Sequence, residues 1–199
     1  TDGGECTPTD HFVTTWQTDN PGSSNSTSIT VPMAGGPYEV DWDNDLVFDE
    51  SGLTDSVMHD FGVAGTYTIR IRGSYESFSF GPISSVADPQ KLLSVDQWGP
   101  NSWAWMDFAF FDAENLTIPA TDTPDFSAVK GMSYMFAGAV LANPDTSGWD
   151  TSSVNEMRYM FAEASAASPN TGGWDTSSVT NMSYMFRNAN LANPDTSGW

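Results

Sequence analysis

Residues 150–186 read DTSSVNEMRYMFAEASAASPNTGGWDTSSVTNMSYMF, and the heptapeptide GWDTSSV occurs at 148–154 and again at 173–179. The interval is held by many positions. Val129, Val154 and Val179 are 25 residues apart, as are Met135, Met160 and Met185, Phe136, Phe161 and Phe186, and Trp149, Trp174 and Trp199. A constant period over this many positions is the signature of a solenoid, in which each unit buries its apolar face only against its neighbours.

Within one unit the apolar residues Val154, Met157, Met160, Phe161 and Ala164 fall at offsets that share one face of a helix. Ser153 stands before Val154 and Glu156 three residues on, a capping-box pattern, and Pro169 forbids continuation of the helix. The spacing therefore predicts one helix per unit, starting near Val129, Val154 and Val179. A unit half helical and half extended belongs to the length class of leucine-rich repeats, with Met, Phe and Trp where Leu is usual. The expected organisation is an α/β leucine-rich-repeat-like solenoid over residues 125–199. Residues 83–124 would be its N-terminal cap, since Phe111 and Leu116 stand one period before Phe136 and Leu141. The last unit stops at Trp199, before its own next helix, and an uncapped end implies truncation of a longer protein.

Ahead of the period the pattern changes. Residues 1–10 are polar and read as a flexible tail. Residues 11–82 contain short alternating runs: His11–Thr18, Ser28–Pro32, Tyr38–Trp42 and Thr66–Gly73. In the last, Tyr67, Ile69 and Ile71 alternate with Thr68, Arg70 and Arg72, which predicts a strand with one apolar face. Turn-forming residues between such runs predict a small antiparallel β-sandwich as a first of two domains.

The chain of 199 residues carries 26 acidic and 6 basic side chains, a net charge of -20. The charge is divided almost evenly between the two halves. A surface this acidic excludes nucleic acid and disfavours anionic membranes. Apolar residues at 39% and aromatics at 13% are too many for a disordered acidic segment. No run approaches the roughly 18 apolar residues of a spanning helix, so membrane insertion is not expected. Cys6 stands alone, which excludes an internal disulfide framework.

The segment VTNMSYMF (179–186), with its GWD element at 148–150 and 173–175, resembles the BspA-type repeat of bacterial surface proteins. LLSVDQWG (92–99) is similar to the segment that leads into those repeats. The runs FVTTW (12–16), ITVP (29–32), YEVDW (38–42) and HDFGVAGTYTIRIRG (59–73) resemble a PKD-like, immunoglobulin-type sandwich, with Asp43-Asn44-Asp45 where that family has a Gly-Asp-Gly turn. The resemblance implies a secreted or cell-surface bacterial adhesin with a role in cell adhesion.

Candidate sites follow from residue type. Asp41, Asp43 and Asp45 alternate, with Asp49 close behind, an oxygen-rich pattern suited to calcium. The EF-hand pattern fails at Leu46 and Gly52. The Asp and Thr rows, Asp145, Asp150, Thr151, Asp175 and Thr176, would face water and form a regular partner-binding surface. Trp149, Trp174 and Trp199 read as core rather than as a glycan platform. Two histidines, His11 and His59, join no catalytic pattern, so no enzyme activity is expected. The function expected is a non-catalytic, monomeric adhesin module that binds a cell-surface protein or glycan. The alternatives are a spacer that extends a distal binding domain and, distantly, a fragment of a carbohydrate-active enzyme.

Overall fold

The alternation of Tyr67, Ile69 and Ile71 with polar residues becomes the strand Thr66–Gly73, which lies at the centre of the largest sheet. In chain order the strands are β1 (Phe12–Gln17), β2 (Ser28–Val31), β3 (Met33–Ala34), β4 (Tyr38–Asp41), β5 (Glu50–Leu53), β6 (Val57–Asp60), β7 (Thr66–Gly73), β8 (Ser77–Phe78) and β9 (Leu92–Gln97). The computed structural model describes residues 10–81 and 87–199. Residues 1–9 of the expected tail, Cys6 among them, and the expected boundary between residues 82 and 83 lie outside them.

Five strands pair antiparallel in the order β5-β4-β7-β1-β9. The register sets Phe12 and Val40 beside Ile71, and Trp16 beside Tyr67. Phe12, Trp16, Val40, Ile69 and Ile71 are buried, so the apolar face of the alternation is the core face. Two small antiparallel sheets, β2–β6 and β3–β8, flank this one.

The sheet is closed at one edge by residues expected in a second domain. β9 pairs with β1, Thr14 opposite Val95 and Trp16 opposite Leu92. A short 3-10 turn, Pro89–Lys91, leads into it. The Lys91 ammonium is buried and donates to the Ser24 and Ser28 carbonyls, the Asn25 carbonyl and the Ser24 hydroxyl. Asp88 is buried beside it and accepts from the Ser24 and Thr30 amides.

From β9 onward one apolar core continues without a break, from Phe12 through Phe78, Trp98 and Phe110 to Met185. Phe12 lies 5.2 Å from Trp103, and Phe78 lies 5.6 Å from Phe110, ring centre to ring centre. The expected two-domain architecture, a sandwich followed by an α/β solenoid, is corrected on this ground. The described residues form a single β-rich domain.

The expected helices are also absent. None of the described residues is α-helical, and no α/β leucine-rich-repeat solenoid is formed. The backbone shows why. Amide groups of alternate residues leave their own copy of the 25-residue period for the next one: Met132 to the Glu156 carbonyl at 2.8 Å, Tyr134 to Arg158 at 2.9 Å, Phe136 to Met160 at 2.8 Å. The residues between them close three-residue turns, Met135 to Met132 and Ala137 to Tyr134. An α-helix would use every amide within the segment, so the ladder between copies excludes it. Single parallel bridges, Gly131 to Glu156 and Glu156 to Asn181, mark the same pairing. Turns closing every three residues still direct Val154, Met157, Met160, Phe161 and Ala164 inward, and all five are fully buried. The apolar offsets therefore fit a helix without requiring one.

Candidate functional site: an aromatic column between two grooves

Each copy turns outward at its tyrosine. Tyr134, Tyr159 and Tyr184 have φ of 58°, 56° and 60°, in the left-handed region that L-residues seldom adopt. That turn sends Met135 and Phe136 into the core and leaves the tyrosine ring outside. Phe108 makes the same turn one copy earlier, with φ of 57°.

The four rings form a column. Phe108 and Tyr134 lie 4.8 Å apart, Tyr134 and Tyr159 4.8 Å, and Tyr159 and Tyr184 4.9 Å. This is the spacing of hydrogen-bonded strands, about 4.7–4.9 Å, because the Tyr134 and Tyr159 amides bond to the next copy. The Arg158 guanidinium lies 5.0 Å from the Tyr159 ring centre and 5.9 Å from that of Tyr134. Both distances are within cation–π range.

A groove runs on either side. One, of about 390 Å³, is walled by Trp105, Asp107, Ser133, Glu156 and Arg158. Trp105 is an exposed indole. Asp107 accepts the Ser133 amide at 2.8 Å, and burial raises its carboxyl above the ordinary range despite that bond. Gly131 permits the fit, since a Cβ there would lie 2.1 Å from Asp107 Oδ2. The second groove, of about 350 Å³, is walled by Phe111, Asp112, Gly138, Glu163 and Arg187. Desolvation and the neighbouring Glu114 and Glu163 raise Asp112. Each groove thus offers aromatic edges, carboxylates and one guanidinium. Neither histidine lines them.

Residues 94–199 match the family described as "Mycoplasma protein of unknown function, DUF285". The chain belongs to this family. The match spans more than half of the chain and takes in the whole column and both grooves of the DUF285 region. No curated protein and no solved structure matches the chain. The BspA-type and PKD-like resemblances, with the leucine-rich-repeat reading attached to them, are accordingly corrected: the family shown is DUF285, and the fold is β-rich.

The partner-binding residues expected from sequence lie elsewhere. Thr151 is buried, and its hydroxyl donates to the Asp175 carbonyl of the next copy at 3.0 Å; Thr176 is buried as well. Asp145, Asp150 and Asp175 are exposed, and each accepts the amide of the serine two residues on, at 3.0, 3.0 and 2.9 Å. Bonds from the Ser152 and Ser177 hydroxyls, with their amides, hold Asp150 and Asp175 below the ordinary range, and the Ser147 amide and hydroxyl do the same for Asp145. The three aspartates organise turns, and they line neither groove. Trp149 and Trp174 are buried and stacked 6.4 Å apart.

Of the expected calcium ligands, Asp41, Asp43 and Asp49 converge, with oxygens within 4.8 Å of one another. Asp45 is outside this group, and its carboxylate accepts the Val47 amide. Asp41 is fully buried and accepts the amides of Asn44, Asp45 and Leu46. Among the described residues no helix is long and apolar enough to cross a membrane.

The tyrosines were within reach of the sequence. They keep the same 25-residue period as the methionines and phenylalanines that follow them. Their place at the surface, half-buried for Tyr134 and Tyr159 and exposed for Tyr184, came only with the left-handed turn.

Proposed function

We propose that this chain is a non-catalytic binding module of a bacterial cell-surface adhesin, and that it grips an extended partner along the column of Phe108, Tyr134, Tyr159 and Tyr184. The observation that carries this reading is the column itself: four rings at near-constant spacing on the surface, with a groove on each side. Tyrosine contributes large amphipathic area with few rotatable bonds, and stacking holds each ring in place before a partner arrives. Equal contacts at equal spacing add along an extended partner.

Of the two partner classes, a protein segment fits better than a glycan. Tyr134 and Tyr159 each have a ring on both faces, so they offer edges and hydroxyls rather than open faces for sugar rings. The acidic surface favours a partner with basic character.

The test is an array of cell-surface proteins and glycans probed with the chain and with the Tyr159→Ala/Tyr184→Ala variant. Binding to one or more proteins, reduced more than tenfold in the variant with the melting temperature kept within a few degrees, is expected. Glycan binding alone would change the partner class. No binding to any surface would leave the spacer role.

A further inference from the structure

A third concavity lies outside the DUF285 match, where β4 and β6 end and β7 begins. It has a volume of about 300 Å³. Trp42 follows β4 and stacks on His59 at 4.3 Å, with the rings 12° from parallel. Phe61 follows β6 and stacks on Tyr67 of β7 at 3.7 Å and 10°. Phe61 stands at 85° to Trp42 and 74° to His59, so the two stacked pairs meet as the walls of a corner. Asp43, Asp49 and Asp60 form the rim of the same cavity.

We propose that this corner binds an alkylammonium group, with its positive charge against the aromatic walls and the carboxylates at the rim. Aromatic faces attract weakly hydrated organic cations, and carboxylates beside them supply the countercharge. The electrostatics of the corner agree. Asp60 accepts the Thr27 hydroxyl at 2.6 Å and the Gly62 amide at 2.9 Å, and these bonds hold its carboxyl below the ordinary range. Asp43 is exposed at the rim, and its carboxylate lies close to those of Asp41 and Asp49, their oxygens within 4.8 Å of one another, so negative charge is concentrated there. Burial lowers His59 although Glu50, Asp49 and Asp60 pull the other way, so its imidazole is neutral near pH 7 and does not repel a cation.

A calcium ion fits the corner less well. Calcium takes six to eight oxygens at about 2.3–2.6 Å. Asp41 already accepts three backbone amides and Asp49 accepts the Trp42 amide at 2.8 Å, which leaves few carboxylate oxygens to converge on a metal. The remaining walls are aromatic.

The experiment is an NMR titration of the whole chain that follows the His59 ring and the Trp42 indole N–H. The probes are tetramethylammonium chloride, N-acetyl-lysine amide and calcium chloride, with sodium chloride matched for ionic strength. Saturable shifts with either ammonium probe in the millimolar range, and a further fall in the His59 pKa, are expected. Stronger binding of the lysine derivative assigns the site to a protein side chain, and stronger binding of tetramethylammonium to a quaternary headgroup. Phe61→Ala should weaken binding about fivefold or more. The rim variant Asp43→Asn, at an exposed position, should weaken it with the fold unchanged, while Tyr67→Phe should retain it. Ammonium shifts no different from those of sodium chloride, or saturable shifts with calcium alone, would overturn the proposal.

Discussion

Tyr134 and Tyr159 lie face to face at 4.8 Å with their rings 7° from parallel, and the backbone beneath them is tied by the Tyr134 amide to the Arg158 carbonyl. Surface column and backbone ladder therefore share one spacing. Directly behind them Phe136 and Phe161 stack at 5.4 Å and 6°, fully buried. The same ladder positions the inner rings in the core and the outer rings along the surface.

The inner stack carries the larger energy. Phe161 is fully buried between Phe136 and Phe186, whereas Trp199 is 39% exposed. Phe161→Ala should cost about 3–5 kcal/mol in urea unfolding, the usual range for a buried Phe. Trp199→Ala should cost well under half of that. Equal losses would mean that the stack does not bear on stability.

The left-handed positions make a second prediction. Gly138, Glu163 and Asn188 are one period apart and have φ of 77°, 64° and 59°. Glu163→Gly should be close to neutral in thermal melts, since it installs the residue of the neighbouring copy. Glu163→Val should destabilise by roughly 1–2 kcal/mol, because the left-handed region penalises an L side chain and a β-branched one most. Gly138→Ala should also be costly, as its Cβ would lie 2.3 Å from Asp112 Oδ1.

The acid response follows from the turn aspartates. Asp145, Asp150, Asp175 and Asp195 all sit below the ordinary value of 3.8 because of bonds from the serine two residues on. Below that value the unfolded chain binds protons that the folded chain refuses, so stability rises with pH there. The contribution is complete above pH 3.8 and is lost as the pH falls through the lowered folded values. Asp107 acts in the opposite sense. Its raised carboxyl binds a proton in the folded chain first, so its contribution falls as the pH rises through the window just above 3.8. Thermal melts between pH 7 and pH 3 should steepen at the acid end, and Asp150→Asn with Asp175→Asn should flatten that slope.

The buried Asp88 and Lys91 make the last prediction. Asp88 accepts the Thr30 amide at 2.7 Å and the Ser24 amide at 2.9 Å, next to the Lys91 ammonium with its four acceptors. Asp88→Ala leaves the buried Thr30 donor without its acceptor, a cost of about 1–3 kcal/mol. Hydrogen exchange should show faster exchange at Thr30 and along β9, while the Tyr column far along the chain keeps its protection.

The sequence by itself determined which side chains face inward. The alternation around Ile69 and Ile71 and the 25-residue rows of Val, Met and Phe describe burial, and burial follows from side-chain chemistry wherever the backbone goes. It also determined that copies one period apart would be chemically equivalent, down to the serine-capped aspartates. What the tertiary structure decided was the path of the backbone. Offsets of three and four residues suit a helix and a chain of three-residue turns alike, and only the amides given to the next copy select the turns. Long-range pairing likewise decided that Leu92–Gln97 completes the first sheet, because the partner of an edge strand is set by the sheet that lacks one. The column and the aromatic corner arise in the same way. Their rings are far apart in sequence and meet only where hydrogen-bonded neighbours impose a common spacing, or where two strands end beside the start of a third.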